Sequence, residues 1–177
     1  MSLLAGWVNI YSRALDFAAQ AHGEQKTPKG LPYIVHVAAV AAETLAALAA
    51  EDHDAELAVP CALLHDVMED TMTTLADIEA AFGPRVAAGV SALTKDDSLP
   101  KERRMADSLD RILRQPPEIA VVNLADRMTN LAPPPAQWTP GKISAYREES
   151  REILRRLGPA SSYLAARLAR RLQTYPT

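Results

Sequence analysis

Apolar residues recur every three to four positions along most of the chain, and the pattern predicts helices. Between about 7 and 22, Tyr11, Ala14, Leu15, Ala18 and Ala19 fall at helical spacing. His22 to Tyr33 holds two prolines and two glycines and predicts a loop. A second helix is expected over about 35–50. A third starts near Asp54 and carries His65 and Asp66 towards its end, with Pro60 in its first turn or kinking it. Thr74 followed by Asp77 has the form of a capping box, with Asp in place of Glu, opening a short helix to Phe82 that Gly83-Pro84 stops. Further helices are expected over about 85–93, 101–114, 118–131, 141–157 and 161–174, with loops at 95–100 and 133–140. Alternation of the strand kind is missing, and Val121-Val122 lies inside helical periodicity. The chain therefore predicts an all-α bundle. The forty or so residues after Pro133-Pro134-Pro135 are too few for a second core, so a single domain is expected.

Composition narrows the chemistry. Of 177 residues 48% are hydrophobic, which excludes a disordered chain, and only 5% are aromatic, so the core must come from Ala, Leu, Val and Ile. Seven glycines, with no GxGxxG and no GxxxxGK[ST], argue against a phosphate-loop nucleotide fold. A net charge of -3 argues against nucleic acid or an anionic membrane as partner. The N-terminus lacks a basic stretch and does not read as a signal peptide. The apolar run 37–50 is interrupted by Glu43 and Thr44 and is too short to span a bilayer. The single cysteine, Cys61, lies in an apolar run and reads as a buried, inert thiol in a reducing compartment, so a cytoplasmic location is expected.

The chemistry concentrates in His65-Asp66-Val67-Met68-Glu69-Asp70. On one continuous helix, positions 65 and 69 share a face, as do 66 and 70. Acids and a histidine beside an apolar core are costly unless something pairs with them, and a divalent cation would. Glu69 and Asp70 would then reach its water. A second pair, His53-Asp54, sits in a polar cluster ahead of a helix, where Asp52 or Asp54 reads as an N-cap. His36 opens an apolar helix, and Asp126 lies within another; pairing of Asp126 with Arg127, Arg103 or Arg104 is the alternative there. Two His and two Asp form a mixed nitrogen and oxygen set that suits Mn²⁺ or Fe²⁺, with Zn²⁺, Co²⁺ or Mg²⁺ as further options.

These blocks resemble the hydrolase domain of RelA/SpoT homologues, and especially the small stand-alone alarmone hydrolases related to animal SpoT-like proteins. The resemblance rests on Ala18-Ala19-Gln20-Ala21-His22 with Gln25 and Gly30-Leu31-Pro32-Tyr33-Ile34-Val35-His36. It continues through Ala62 to Thr71, Phe82-Gly83, Leu93-Thr94-Lys95 and Leu124-Ala125-Asp126-Arg127-Met128-Thr129-Asn130-Leu131. It implies a single HD-type helical bundle over 1–177, with a Mn²⁺ site at His36, His65, Asp66 and Asp126. It implies that Glu69 and Asp70 assist the attacking water, that Tyr33 and Asn130 line the nucleoside side, and that the 3′-pyrophosphate is removed from ppGpp or pppGpp. No synthetase segment follows, so alarmone synthesis is not expected.

The family's Arg-Lys-Ser-like loop is replaced here by Lys26-Thr27-Pro28-Lys29, where Lys26 and Lys29 keep some charge without a bidentate guanidinium. Val37, Asn123 and Thr129 also depart from the family's usual residues. Lys95, Lys101, Arg104 and Tyr146 are the candidate contacts to distal phosphate or base. Surface ion pairing is the alternative for Lys101 and Arg104, and core packing for Tyr146. The altered loop leaves two rival readings. One is a hydrolase of another nucleotide, such as NADPH at its 2′-phosphate or a nucleoside monophosphate. The other is a non-catalytic nucleotide-binding protein. Oligomeric state is not read from the sequence.

Overall fold

The protein is described from a computed structural model, which covers residues 3–176, with side chains from residue 9 onward. Among the described residues ten α-helices follow one another: α1 (Leu3–His22), α2 (Ile34–Ala50), α3 (Ala55–Leu64), α4 (Val67–Asp70), α5 (Leu75–Phe82), α6 (Pro84–Leu93), α7 (Lys101–Ile112), α8 (Pro117–Asn130), α9 (Pro140–Leu157) and α10 (Ser162–Thr174). A 3₁₀ turn, Gly158–Ala160, joins the last two. The only pairing of strand type among the described residues is an isolated bridge between Lys26 and Pro32.

Helix α3 is the centre of the molecule. Every residue from Leu57 to Leu64 is buried, because α1, α2, α6 and α8 pack around it. That explains its continuous apolar run, which has no polar face to present. Pro60 lies inside this helix, beyond its first turn. Helix α6 approaches closely because Gly89 has no Cβ; one built there would meet Ile119 Cδ1 at 2.6 Å and Cys61 Sγ at 2.8 Å. Cys61 is fully buried, and burial pushes its thiol far above the usual range, consistent with an inert role.

Helix starts follow the local chemistry of their caps. Asp54 accepts from Glu56 N at 2.9 Å. The Thr74–Asp77 box forms in both directions, with Thr74 Oγ1 accepting from Asp77 N and Asp77 Oδ2 accepting from Thr74 N at 2.9 Å. Gly83, at φ 86°, takes the left-handed backbone that separates α5 from α6. The expected helix through residues 65–70 is not continuous. Helix α3 ends at Leu64, His65 and Asp66 form a turn, and α4 is a single further turn.

Candidate metal centre

Three elements bring the cluster together. His36 lies in the first turn of α2, directly after the Pro/Gly loop; His65 and Asp66 fill the turn after α3; Asp126 lies in α8. The break after Leu64 has a local cause. Ala62's carbonyl, at the end of α3, accepts from His65 Nδ1 at 2.8 Å, and Asp66 sits at φ -103°, ψ -6°, off the helical minimum.

That bond places the proton of His65 on Nδ1 and turns Nε2 inward. His65 Nε2 is buried with no aligned hydrogen-bond partner, although Asp66 Oδ2 is 2.9 Å away and Asp126 Oδ1 3.6 Å. His36 Nε2 lies 3.5 Å from Asp66 Oδ2 and 3.3 Å from Asp126 Oδ1. One ligand atom each from His36, His65 and Asp126 lies within 4.8 Å of the others. Asp66 stands at the edge of this trio, its Oδ2 also accepting from Tyr33 Oη at 2.6 Å.

The electrostatics ask for a cation. Burial works against charge on His36, but hydrogen bonds to Asp126 and Asp66 outweigh it and the imidazole is pushed up to about 9. Burial opposes charge on His65 as well, and the two aspartates hold it well above its usual range. Burial would raise both carboxyls, yet the imidazoles bring Asp126 to about 2 and hold Asp66 well below the carboxylate range. In the protein alone, protons on the imidazoles meet this demand; a divalent ion would meet it with one centre. The orphaned inward nitrogen and the mixed donor set fit such an ion.

An HD-domain family model matches residues 14–161. The chain belongs to the HD-domain family. HD domains bind divalent metals, and the candidate centre here has the donors for one. This HD chain is 32% identical over 165 residues to guanosine-3′,5′-bis(diphosphate) 3′-pyrophosphohydrolase MESH1 of Danio rerio, covering 90% of each chain. It is 35% identical over 151 residues to MESH1 of Homo sapiens, covering 81% of this chain and 82% of that one. The match to the guanosine-3′,5′-bis(diphosphate) 3′-pyrophosphohydrolase of Aquifex aeolicus, at 35% identity, covers 90% of this chain but 21% of that longer protein. A solved structure, described as a metazoan ortholog of SpoT that hydrolyzes ppGpp, superposes with a TM-score of 0.80 at 29% identity, covering 93% of this chain and 94% of that one. With these relatives the HD chain falls among the RelA/SpoT-homologue hydrolase domains.

The two acids after the HD pair face opposite partners. Lys95 Nζ pairs with Glu69 Oε1 at 2.8 Å, and Lys95 N donates to Glu69 Oε2 at 3.3 Å. Burial opposes the charge on Lys95, and Glu69 reverses this, so the ammonium is held above its ordinary range. Asp70 Oδ2 accepts instead from Gln25 Nε2 at 2.9 Å. Tyr33 remains a donor: burial, then the charge of Asp66, push its phenol far above the usual range.

Other expected contacts land elsewhere. Asn130 Nδ2 donates to Asp126 Oδ1 at 2.6 Å, touching the candidate ligand itself. Asp126 pairs with His36 and His65 and not with an arginine. Arg127 lines the cleft beside the cluster and lies over the Tyr146 ring, 4.4 Å from its centroid. Tyr146 is half-buried and packed edge-on against Trp138, with burial raising its phenol to about 12. Arg104 is occupied by the 95–100 loop, donating Nε to Leu99 O at 2.9 Å and Nη2 to Asp97 O at 2.9 Å, and pairing with the Asp97 carboxylate. Lys101 is exposed at the start of α7, and Lys26 is exposed on the Pro/Gly loop. A cleft of about 80 Å³ opens beside the cluster, lined by His65, Asp66, Glu69, Lys95, Asn123 and Asp126 among others. Of the expected site residues, Lys26, Tyr33, His36, Asp70, Lys101, Arg104, Asn130 and Tyr146 do not line it. His22 and Gln25, which carry no role from residue type alone, reach the site through Asp70.

Proposed function

We propose that this chain hydrolyses the 3′-pyrophosphate of guanosine alarmones, turning ppGpp or pppGpp into GDP or GTP plus pyrophosphate. A divalent ion would be held by His36, His65, Asp66 and Asp126, with Mn²⁺ the first candidate. The observation that carries this reading is the convergence of His36, His65 and Asp126 ligand atoms within 4.8 Å. That convergence occurs in a chain matching, over most of its length, relatives named for this activity.

When bound, the ion supplies Lewis acidity towards water and towards a phosphoryl oxygen. Glu69 takes the proton of the attacking water as its oxygen bonds to phosphorus. The O3′–P bond breaks, the ribose oxygen takes up the proton that Glu69 received from the water, and pyrophosphate leaves. Asp70, held by Gln25, assists in orienting the water. Lys95, beside Glu69, meets the phosphate charge. The cleft of about 80 Å³ has room for the reacting phosphoryl group, so the nucleoside lies across its mouth, near Tyr33 and Asn130. The reading places the protein in the cytoplasm without a nucleic-acid or membrane partner; no helix among the described residues is long and apolar enough to cross a membrane.

A substrate panel tests it. Purified protein is incubated with ppGpp, pppGpp, NADPH and nucleoside monophosphates while the divalent ion is varied. Release of pyrophosphate from the alarmones with Mn²⁺ is expected. Rapid release of phosphate from NADPH with none from ppGpp would overturn the substrate assignment. Tight binding without turnover under every ion would leave a binding protein.

A further inference from the structure

The acids of the His-Asp block are fixed from behind by one buried ring. His22 closes α1 and is 5% exposed. Its Nδ1 lies 2.8 Å from Gln25 Oε1, and Gln25 Nε2 donates to Asp70 Oδ2 at 2.9 Å. The same ring packs at a tilt of 35° against Tyr33, with centroids 4.6 Å apart, and Tyr33 Oη donates to Asp66 Oδ2 at 2.6 Å.

Chemistry fixes the direction of these bonds. An ionised carboxylate only accepts, so Gln25 must turn its NH₂ to Asp70. Its oxygen then faces His22, and Nδ1 of that ring must carry the proton. The other nitrogen, Nε2, is left bare, and it is the one that is buried without a partner. A proton placed there instead would strand a buried donor and turn the amide oxygen onto Asp70.

The backbone prepares the amide. Gln25 N donates to His22 O at 2.9 Å, and Gln25 O accepts from Tyr33 N at 2.9 Å, closing the Pro/Gly loop on itself. Asp70 is exposed at the end of a four-residue helix. Its side chain has freedom to lose, and Gln25 removes it in advance.

We infer that His22 and Gln25 are positioning residues: the ring aims the amide that holds Asp70 and braces the phenol that holds Asp66. This rests on the hydrolase reading above and adds to it the groups that set the acids' geometry.

Gln25→Glu keeps the shape but cannot donate, and it sets a second anion beside Asp70; Gln25→Ala removes the contact. Both should lower kcat about 10- to 100-fold, with KM, Mn²⁺ affinity measured by calorimetry, and melting temperature unchanged. A packing role alone predicts Gln25→Glu close to the parent, and that result overturns the inference. In an Asp70→Ala background, Gln25→Ala should cost nothing further; additive losses overturn the route through Asp70. Ring ¹⁵N resonances of His22 give a readout without turnover. Nδ1 protonated with Nε2 bare is expected, and a proton on Nε2 refutes the relay. Absence of turnover by the parent on every nucleotide is failure of the hydrolase reading, and the ring nitrogens then decide the hydrogen-bond chain by themselves.

Discussion

Two His-Asp pairs bracket α3, and they do opposite things. His53-Asp54 precedes the helix, at a place where backbone N–H groups are in surplus. Asp54 caps α3 and pairs with Arg85 at 2.7 Å. Glu118, near the start of α8, accepts from Asp54 N at 2.9 Å. Glu51 sits at the start of α10, accepting from Ser161 Oγ at 2.5 Å, Ser162 Oγ at 2.6 Å and Tyr163 N at 3.0 Å. His65-Asp66 follows the helix, where the backbone offers carbonyls. His65 donates to one of them, and Asp66, although it precedes α4, makes no cap bond. Acids at helix starts are met by the protein's own donors. Acids gathered at a helix end are left facing imidazoles, and among the described residues only that cluster brings three ligand atoms within 4.8 Å.

The sharpest way to break this contrast is to remove one acid from each end. Asp126→Ala or Asp66→Ala should abolish Mn²⁺ binding by calorimetry and lower hydrolysis by far more than about 100-fold, with the helical circular dichroism retained. Asp54→Ala should leave kcat and KM alone and cost roughly 1 kcal/mol in urea unfolding, as a lost N-cap does. Full turnover in Asp126→Ala would remove the metal assignment. Next in size is Glu69→Gln, which should lose about 10²- to 10⁴-fold in kcat with Mn²⁺ affinity unchanged, since Glu69 faces Lys95 instead of the imidazoles.

Metal linkage sharpens the same contrast in stability. An ion bound only by the folded chain, at a free concentration of 100 Kd, stabilises it by about 2.7 kcal/mol. Thermal or urea unfolding with and without Mn²⁺ should show that gain in the parent and in Asp54→Ala, and lose it in Asp126→Ala. A gain that survives in Asp126→Ala would place the ion elsewhere.

The sequence carried one side of this contrast more fully than the other. The cap at Asp54 and the box at Thr74–Asp77 are local, closing within two or three residues, and both were legible. So was the apolar periodicity that makes the helices; of the four candidate ligands the structure gathers ligand atoms of His36, His65 and Asp126 within 4.8 Å, with Asp66 at the edge. The break after Leu64 was hidden because His65, at φ -56°, ψ -32°, keeps helical backbone. Asp70's partner Gln25 lies 45 positions away, and Glu51's partners lie 110 to 112 away; no spacing rule reaches that far. For Arg104 the sequence left phosphate contact and surface ion pairing both open, because its acceptors, Leu99 O and Asp97, are presented only once the 95–100 loop folds back on α7.

The smallest expected effect tests the satisfied side alone. Burial would raise the Glu51 carboxyl, but the hydroxyls of Ser161 and Ser162, the Tyr163 N–H and His53 outweigh it and lower it from 4.5 to about 2. A carboxyl depressed by folding contributes stability above its unfolded value, and the contribution is lost as pH falls through the folded one. Glu51→Gln keeps an acceptor oxygen and loses the charge, so it should cost about 1 kcal/mol near neutrality. The gap between parent and variant should close between pH 4.5 and about 2. Urea unfolding of both proteins at a series of pH values measures it. A gap that stays constant down to the acid limit would mean that Glu51 acts by shape alone. The charge at the start of α10 would then not be what joins that helix to the end of α2. The distinction between acids met by helix donors and acids awaiting a cation would then have to rest on the Asp54 cap.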